Sequence, residues 1–254
     1  MSKIEERKNT KKVQFTGADG KPLANAQVSY SLKKHEFLFG CNAFQLGYIV
    51  NKEGEAAAEK HPNVQQFLDL FNFATVPFYW GQFEPEEGKP RTDALMQSSK
   101  FLQNHGITVK GHPLCWHTAC ADWLLKYDNE TILKKQLERI EREVVGFKGV
   151  VDMWDVINEV VIMPKFDKYD NAITRICNEL GQVKLVKTVF DKARECNPNA
   201  TLLLNDFNTS PAYEDLINRC LDAGVEISAI GIQSHQHQGY WGAEKTYDVL
   251  ESYK

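Results

Sequence analysis

The sequence predicts an α/β fold built around a parallel β-sheet, and two observations support this. Short apolar runs alternate with longer, charge-rich amphipathic segments from residue 37 to the end of the 254-residue chain, which is typical of strands each followed by a helix. Polar side chains follow nearly every apolar run. In both barrels and open sheets of this class, that carboxyl edge is where active sites are built.

Six apolar runs are the predicted strands. Because a helical segment separates each run from the next, neighbouring strands are expected to be parallel and to be joined by right-handed crossovers. The runs are Phe37–Cys41, Phe73–Phe78, Thr108–His112, Val150–Ile157, Thr201–Leu204 and Ile227–Ile232.

The amphipathic segments are the predicted helices. The clearest covers about Glu130–Phe147, where Ile132, Ile140 and Val144 recur at helical spacing. The others are about Val64–Asn72, Asp93–Asn104, Ile173–Cys196, Tyr213–Ala223 and Ala243–Tyr253.

Residues 1–36 are interpreted as a lead-in to the main domain, which spans residues 37–254. Residues 1–12 are highly charged and predict a solvated tail. A turn signal at Ala18–Pro22 separates two short β-rich runs, Val13–Thr16 and Ala26–Leu32, and so predicts a β-hairpin.

Composition and motifs exclude several classes of function. The chain has 30 Lys and Arg against 34 Asp and Glu, and its formal charge of −4 gives no electrostatic reason to bind nucleic acid or an anionic membrane. No apolar run approaches the roughly 20 residues of a membrane helix, and no glycine-rich nucleotide motif follows a strand. Six scattered cysteines without a C-x-x-C pair predict free thiols. The charged N-terminus is not a secretory signal, and the compartment is left open.

Val151–Glu159 is the strongest functional segment, because it predicts an apolar strand that ends in an Asn-Glu pair. Acid–base chemistry on a sugar bond needs a carboxylate in such a place. Three further strand ends, Gly111–His117, Leu203–Asn208 and Ile230–His237, carry amide, imidazole and indole groups. Such groups pair with sugar hydroxyls and pack on sugar rings, so together they predict a carbohydrate site.

These motifs, in this order and spacing, resemble the signatures of glycoside hydrolase family 10, the retaining endo-β-1,4-xylanases. The resemblance implies a TIM (β/α)8 barrel, of which this chain holds about six of the eight βα units. It implies hydrolysis of β-1,4-xylosidic bonds in xylan or xylo-oligosaccharides, without a cofactor or metal, by a protein that is a monomer when complete. Members of the family are often secreted or periplasmic.

The resemblance also assigns roles at the cleavage point. Glu159 matches the general acid/base, and Asn158 matches the residue that hydrogen-bonds the 2-hydroxyl of the bound sugar. His112 and Trp116 match the polar and aromatic walls of that subsite, and Asp155 resembles a carboxylate that supports the site from behind.

The nucleophile is the missing part of this pattern. Gln233 and His235 match the pair that contacts and orients it, but the family places it at the end of a seventh strand. Since a βα unit takes roughly 30 residues or more, that strand end is expected beyond this sequence. Glu244 and Glu251 fall in a predicted helix and are not assigned the role. We therefore expect an incomplete enzyme that is poorly soluble and inactive by itself.

A second departure concerns the next sugar outward. The family usually ends its second strand with a Glu-Asn-x-x-Lys-Trp run, whereas this chain has Thr75, Val76 and Tyr79 in place of the Glu, Asn and Lys. Trp80 and the Glu84-Pro85 pair do match. The outer sugar is therefore expected to be held differently, and the preferred xylan is left open.

Two alternatives remain at this stage. A metal-dependent barrel hydrolase would use His235 and His237 with His112 and His117 as ligands, because imidazoles commonly bind divalent ions. A sugar-binding barrel without catalysis would keep Glu159 only as a hydrogen-bonding group. This alternative would explain why no nucleophile is identified.

Overall fold

The structure is a computed structural model that describes residues 10–31, 35–236 and 239–253. It divides the chain into two compact units, residues 1–37 and 38–254. In the first unit, Thr16 and Pro22 form one antiparallel bridge, and the N–H of Leu23 donates to the carbonyl of Phe15 at 2.9 Å.

The predicted reversal at Ala18–Pro22 is present, but among residues 10–31 the flanking runs form no strands. Leu32, the last residue of the second predicted strand, lies outside the described residues. The chain reverses within a tight turn, in which the N–H of Gly17 donates to the carbonyl of Lys21 at 2.8 Å and the N–H of Lys21 donates to the carboxylate of Asp19 at 3.1 Å. Pairing is already complete at Pro22 and Leu23, and residues 26–31 form no strand.

The second unit contains six parallel strands that pair in the order in which they occur in the chain. Sequential parallel pairing with helices between the strands is the arrangement of a TIM barrel. The predicted fold class, an incomplete TIM barrel, is confirmed. The strands are β1 (Gly40–Asn42), β2 (Phe73–Pro77), β3 (Thr108–His112), β4 (Met153–Asn158), β5 (Thr201–Asp206) and β6 (Ala229–Ile232).

At least one helix follows each strand. The helices are α1 (Phe44–Glu53), α2 (Glu55–Ala58), α3 (Pro62–Leu70), α4 (Trp80–Phe83), α5 (Thr92–Asn104), α6 (Asn129–Gly146), α7 (Ala172–Leu180), α8 (Gln182–Cys196), α9 (Pro211–Asp222) and α10 (Gly242–Ser252). Within the described ranges, none of them combines the length and the apolar composition of a membrane span.

Helix α6 shows why these segments are helical. Asp128 caps it by accepting a hydrogen bond from the N–H of Thr131 at 2.8 Å, which satisfies one of the free donors at a helix start. Ile132, Ile140 and Val144 are fully buried on one face, as the periodicity predicted. Lys134 and Glu138 lie on the exposed face of the helix.

Several predicted elements and boundaries are wrong. The predicted helix Ile173–Cys196 is two helices, α7 and α8, because Gly181 has φ +81° and ψ 153°, a conformation that is essentially restricted to glycine. Helices α1 and α2 precede α3, where the sequence predicted one helix only. The first strand begins at Gly40 and not at Phe37.

An aromatic cluster packs against strands β3 and β4. The ring of Trp154 lies 4.7 Å from that of Phe78, and the ring of Phe147 lies 5.0 Å from that of Phe78. A Cβ atom on Gly111 would lie 2.3 Å from the Trp154 ring. Glycine at position 111 therefore allows the indole to pack directly on the strand backbone.

Gly181→Ala tests the break between α7 and α8. A side chain at this φ and ψ should lower the free energy of unfolding by about 1–3 kcal/mol. Urea unfolding monitored by circular dichroism measures this. The control is Gly146→Ala, at the end of α6, where an added Cβ meets no atom within 4 Å. It should leave stability unchanged or raise it by up to about 1 kcal/mol. Equal effects of the two substitutions would contradict the strain at Gly181.

Candidate active site

A hollow of about 520 Å³, which we call the strand-end hollow, opens at the carboxyl ends of the strands. This volume lies within the roughly 300–1,000 Å³ range of ligand sites. All seven residues with a predicted role line it, so the fold brings together side chains from the ends of β3, β4 and β6. They are His112, Trp116, Asp155, Asn158, Glu159, Gln233 and His235.

Glu159 is held by its backbone and by both carboxylate oxygens. Its φ of +58° lies in the left-handed region, which is uncommon for a residue with a side chain and costs about 1–3 kcal/mol. The N–H of Glu159 donates to the carbonyl of Asn205 at 2.8 Å. Trp116 Nε1 donates to one carboxylate oxygen at 2.8 Å, and Gln233 Nε2 donates to the other at 3.1 Å. The carboxylate orientation is therefore fixed.

An amide network links the ends of β4, β5 and β6. The Oδ1 atom of Asn158 accepts from Asn205 Nδ2 at 2.8 Å and from Gln233 Nε2 at 2.9 Å. The Oε1 atom of Gln233 bonds to His235 Nε2 at 2.7 Å. Asn205 has no role in the predicted site, although it stands in a motif that the sequence analysis noted. Its bond to Asn158 shows that it orients the amide next to Glu159.

Asp155 is fully buried in the wall of the hollow, and two neighbouring side chains share one of its carboxylate oxygens. One of its oxygens accepts from Lys110 Nζ at 2.7 Å and contacts His112 Nδ1 at 2.6 Å. Its other oxygen has no hydrogen-bond partner among the described residues. Lys110 was missed by sequence analysis, because a lysine inside a strand gives no signal of its own. Asp155 thus fixes the ring of His112.

Tyr79 completes an aromatic wall with the predicted residues. Its ring centroid lies 5.7 Å from that of His112 and 5.5 Å from that of Trp116. Burial, together with the nearby charges of Glu159 and Asp155, raises the pKa of the Tyr79 phenol. From the sequence, Tyr79 was only the replacement for a family lysine. In the structure it lines the strand-end hollow as a neutral phenol.

Asp206, at the end of β5, is a second buried carboxyl near Glu159. Burial, and to a smaller extent the charge of Glu159, raises the pKa of Asp206 from 3.8 to about 6. Its two oxygens accept hydrogen bonds from the N–H groups of Asn208 at 2.9 Å and Val161 at 3.1 Å. Asp206 therefore joins the loops that follow β4 and β5.

Arg139, on α6, supports the loops that carry Tyr79 and Trp116. Its guanidinium is fully buried, and it donates hydrogen bonds to the carbonyls of Leu114 and Phe78. It also lies 4.9 Å from the centre of the Trp80 ring. Phe78 lies one residue before Tyr79, and Leu114 lies two residues before Trp116. A buried cation on α6 thus holds the ends of β2 and β3 together.

The residues of the metal alternative do not form a metal site in the part of the chain that the structure describes. No group of three or more His, Cys, Asp or Glu side chains there is arranged to hold a metal ion. His112 is bound to Asp155, and burial lowers the pKa of His117 to about 4. His117 packs on the ring of Phe166, with centroids 4.4 Å apart. His237 lies outside the described residues.

Among the described residues, Glu159 and Asp155 are the carboxylates that line the hollow. Asp155 is unsuited to attack a sugar because Lys110 and His112 both bind one of its oxygens in a buried position. Glu244 and Glu251 lie in α10 and do not line the strand-end hollow. No second carboxylate of a retaining pair is therefore found in the described part of the chain.

Asp206→Asn tests the raised pKa of Asp206. Between about pH 4 and pH 6 the folded state holds a proton that the unfolded state has released, so the contribution of Asp206 to the free energy of unfolding is largest below about pH 4 and is lost as the pH rises through about 6. Urea unfolding at each pH measures the free energy of unfolding of the parent minus that of the variant. This difference should decrease over that range and stay constant above about pH 7. A difference that is independent of pH would contradict it.

Arg139→Leu tests the buried support. The substitution leaves the buried carbonyl of Phe78 without its donor, whereas the carbonyl of Leu114 still accepts from Gln136 Nε2 at 3.0 Å. The free energy of unfolding should therefore fall by about 1–3 kcal/mol. Arg219→Leu is the matched control, because Arg219 is exposed on α9 and pairs with the exposed Asp215. The control should change stability by less than about 1 kcal/mol. Similar losses in both variants would show that Arg139 has no special role.

Comparison with known proteins places the chain in a family. The profile described as "Glycosyl hydrolase family 10" matches residues 42–254. Endo-1,4-beta-xylanase B of Paenibacillus barcinonensis is 30% identical over 212 residues, which cover 76% of this chain and 60% of that protein. Beta-1,4-xylanase of Dictyoglomus thermophilum is 33% identical over 197 residues, which cover 70% of this chain and 53% of that protein.

Solved structures share the fold. Xylanase XynB from Paenibacillus barcinonensis, complexed with a conduramine derivative, has a TM-score of 0.68 and 26% identity over 86% of this chain and 65% of that chain. The chain spans 60% of the curated xylanase B and 32% of the endo-1,4-beta-xylanase/feruloyl esterase of Xylanibacter ruminicola. Because the family profile matches from the end of β1 onwards, over most of the sequence, this chain belongs to glycosyl hydrolase family 10.

Proposed function

We propose that the barrel to which these six βα units belong hydrolyses β-1,4-xylosidic bonds in xylan or xylo-oligosaccharides with retention of configuration. The observation that supports this most is the carboxylate of Glu159, which faces the strand-end hollow between the donors Trp116 and Gln233. Relatives that match 68% and 76% of this chain are named as endo-1,4-beta-xylanases. Residues 37–254 are the catalytic part in this proposal.

Glu159 is the general acid/base of the proposed reaction. It protonates the glycosidic oxygen as the bond to the leaving sugar breaks, while a second carboxylate attacks the anomeric carbon and forms a glycosyl-enzyme. Glu159 then removes a proton from the water that hydrolyses this intermediate. The two carboxyl groups must be about 5–5.5 Å apart. The second must come from a barrel unit other than the six described, placed where Gln233 and His235 can orient it.

Asn158 and the aromatic wall bind the sugar at the cleavage point. Both side-chain hydrogen bonds of Asn158 use its Oδ1 atom, so its Nδ2 group is the donor available for the 2-hydroxyl. His112, held by Asp155, supplies a polar wall, and Trp116 supplies an aromatic one. Thr75 and Tyr79 line the same hollow, so the next sugar outward meets a hydroxyl and a phenol ring.

The charge and composition of the chain suit a polysaccharide substrate. Its formal charge of −4 offers no attraction for nucleic acid or an anionic membrane. The proposed reaction uses carboxylates only and needs no cofactor. A single complete barrel is sufficient for it, so we propose a monomer.

Glu159→Gln tests the acid role. The completed barrel is this chain extended by the seventh and eighth βα units of the Paenibacillus barcinonensis endo-1,4-beta-xylanase B. In it, the substitution should lower kcat/KM on xylan by about 10²–10⁴-fold. It should lower the glycosylation rate much less on an aryl xylobioside with an activated leaving group, because that group leaves without a proton.

The control variant is Glu244→Gln, an exposed glutamate in α10, which should behave as the parent does. This chain without the added units should release no reducing sugar from xylan. Equal losses on both substrates would count against the acid role of Glu159. A completed barrel that binds xylo-oligosaccharides without cleaving them would indicate the sugar-binding alternative.

A further inference from the structure

A second cavity, which we call the α1–α5 pocket, lies beside the strand-end hollow. It is partly open to solvent and is lined by α1, the segment from β2 to α4, and the first turns of α5. The two cavities share Phe44 and Tyr79 in their linings. The rings of these two residues meet edge to face at 5.7 Å. A substrate in the hollow therefore lies one side-chain layer away from the α1–α5 pocket.

The size of the α1–α5 pocket suits one sugar ring. Its volume is about 170 Å³, and a cavity of about 150 Å³ holds a six-membered ring such as benzene. Its wall also offers polar groups, because Tyr48, Asn51 and Gln82 line it. Asn51 Nδ2 donates to the carbonyl of Gly47 at 2.7 Å, which leaves Asn51 Oδ1 as an acceptor for a hydroxyl.

Arg91 gives the α1–α5 pocket a positive charge. No Asp or Glu lines the pocket, and within the described ranges no ion pair or side-chain hydrogen bond involves the guanidinium of Arg91. Its backbone N–H donates to the carbonyl of Phe83 at 2.8 Å, which fixes this residue at the start of α5.

The other described arginines are engaged. Each of four pairs with a carboxylate, and Arg139 binds backbone carbonyls instead. The four are Arg142, Arg175, Arg194 and Arg219. Arg91 is thus the described arginine whose charge is left for a ligand, and its exposed side chain borders the ring-sized α1–α5 pocket.

We propose that the α1–α5 pocket binds a carboxylated sugar branch of the substrate, with the guanidinium of Arg91 paired to the carboxylate. A guanidinium recognises a carboxylate through two parallel hydrogen bonds, which a neutral pentose cannot accept in the same way. This inference rests on the proposed function, because it requires a xylan main chain in the strand-end hollow. It names uronic-acid-bearing xylan as the preferred substrate class.

Calorimetric titration of this chain with two oligosaccharides tests the inference. One is a neutral xylotetraose, and the other is a xylotetraose with a single glucuronic acid branch. The acidic ligand should bind about fivefold more tightly at low salt, as expected for one partly exposed ion pair. The preference should diminish as the salt concentration is raised to 0.5 M, at which the Debye length is only about 4 Å.

Arg91→Gln should abolish the preference and leave the affinity for neutral xylotetraose unchanged. Arg91→Lys should retain part of it, because the charge remains but the paired geometry is lost. Arg219→Gln, on the surface of α9, is the matched control and should retain all of it. Circular dichroism of each variant verifies that the fold is intact.

The outcomes separate this inference from the proposed function. Equal affinities for the two ligands, or an equal loss of both in Arg91→Gln, would overturn the assignment of the α1–α5 pocket and leave the proposed function intact. Failure of both ligands to bind the parent chain and the completed barrel would overturn the proposed function, and this inference with it.

Discussion

Two hydrogen bonds to one carboxylate govern the candidate site. Trp116 and Gln233 each donate to a different oxygen of Glu159, and the three residues follow three different strands. The carboxylate can hold this position only while β3, β4 and β6 keep their register. The rest of the fold is arranged to maintain that register, from the close contact of Gly111 with Trp154 to the amide network around Asn158.

This arrangement includes buried charged side chains, and each of them is stabilised by a nearby partner. Asp155 is neutralised by Lys110, whereas Arg139 is stabilised by carbonyl oxygens and by the face of Trp80. An unpaired buried ion would destabilise the fold by several kcal/mol. These charges orient His112 and the loops that carry Tyr79 and Trp116, so they stabilise the walls of the hollow and not only the core.

The sequence predicted the elements whose signals are local, and it missed those that depend on the fold. Strand ends that carry Glu159 or Gln233 are visible as polar residues after apolar runs. The break at Gly181 was missed because a glycine within a helical pattern does not reveal its backbone angles. Lys110 and Arg139 were missed because a charged residue inside a predicted strand or helix is normally solvated. Their roles exist only when other segments surround them.

The sequential strand order affects how the protein can fold during its synthesis on the ribosome. Each strand pairs with the one translated just before it, so the sheet can grow by one neighbour at a time without waiting for a distant segment. Gln233 emerges last among the donors to Glu159. During synthesis the glutamate therefore has its indole partner first, and its carboxylate becomes fully held only when β6 docks beside β5.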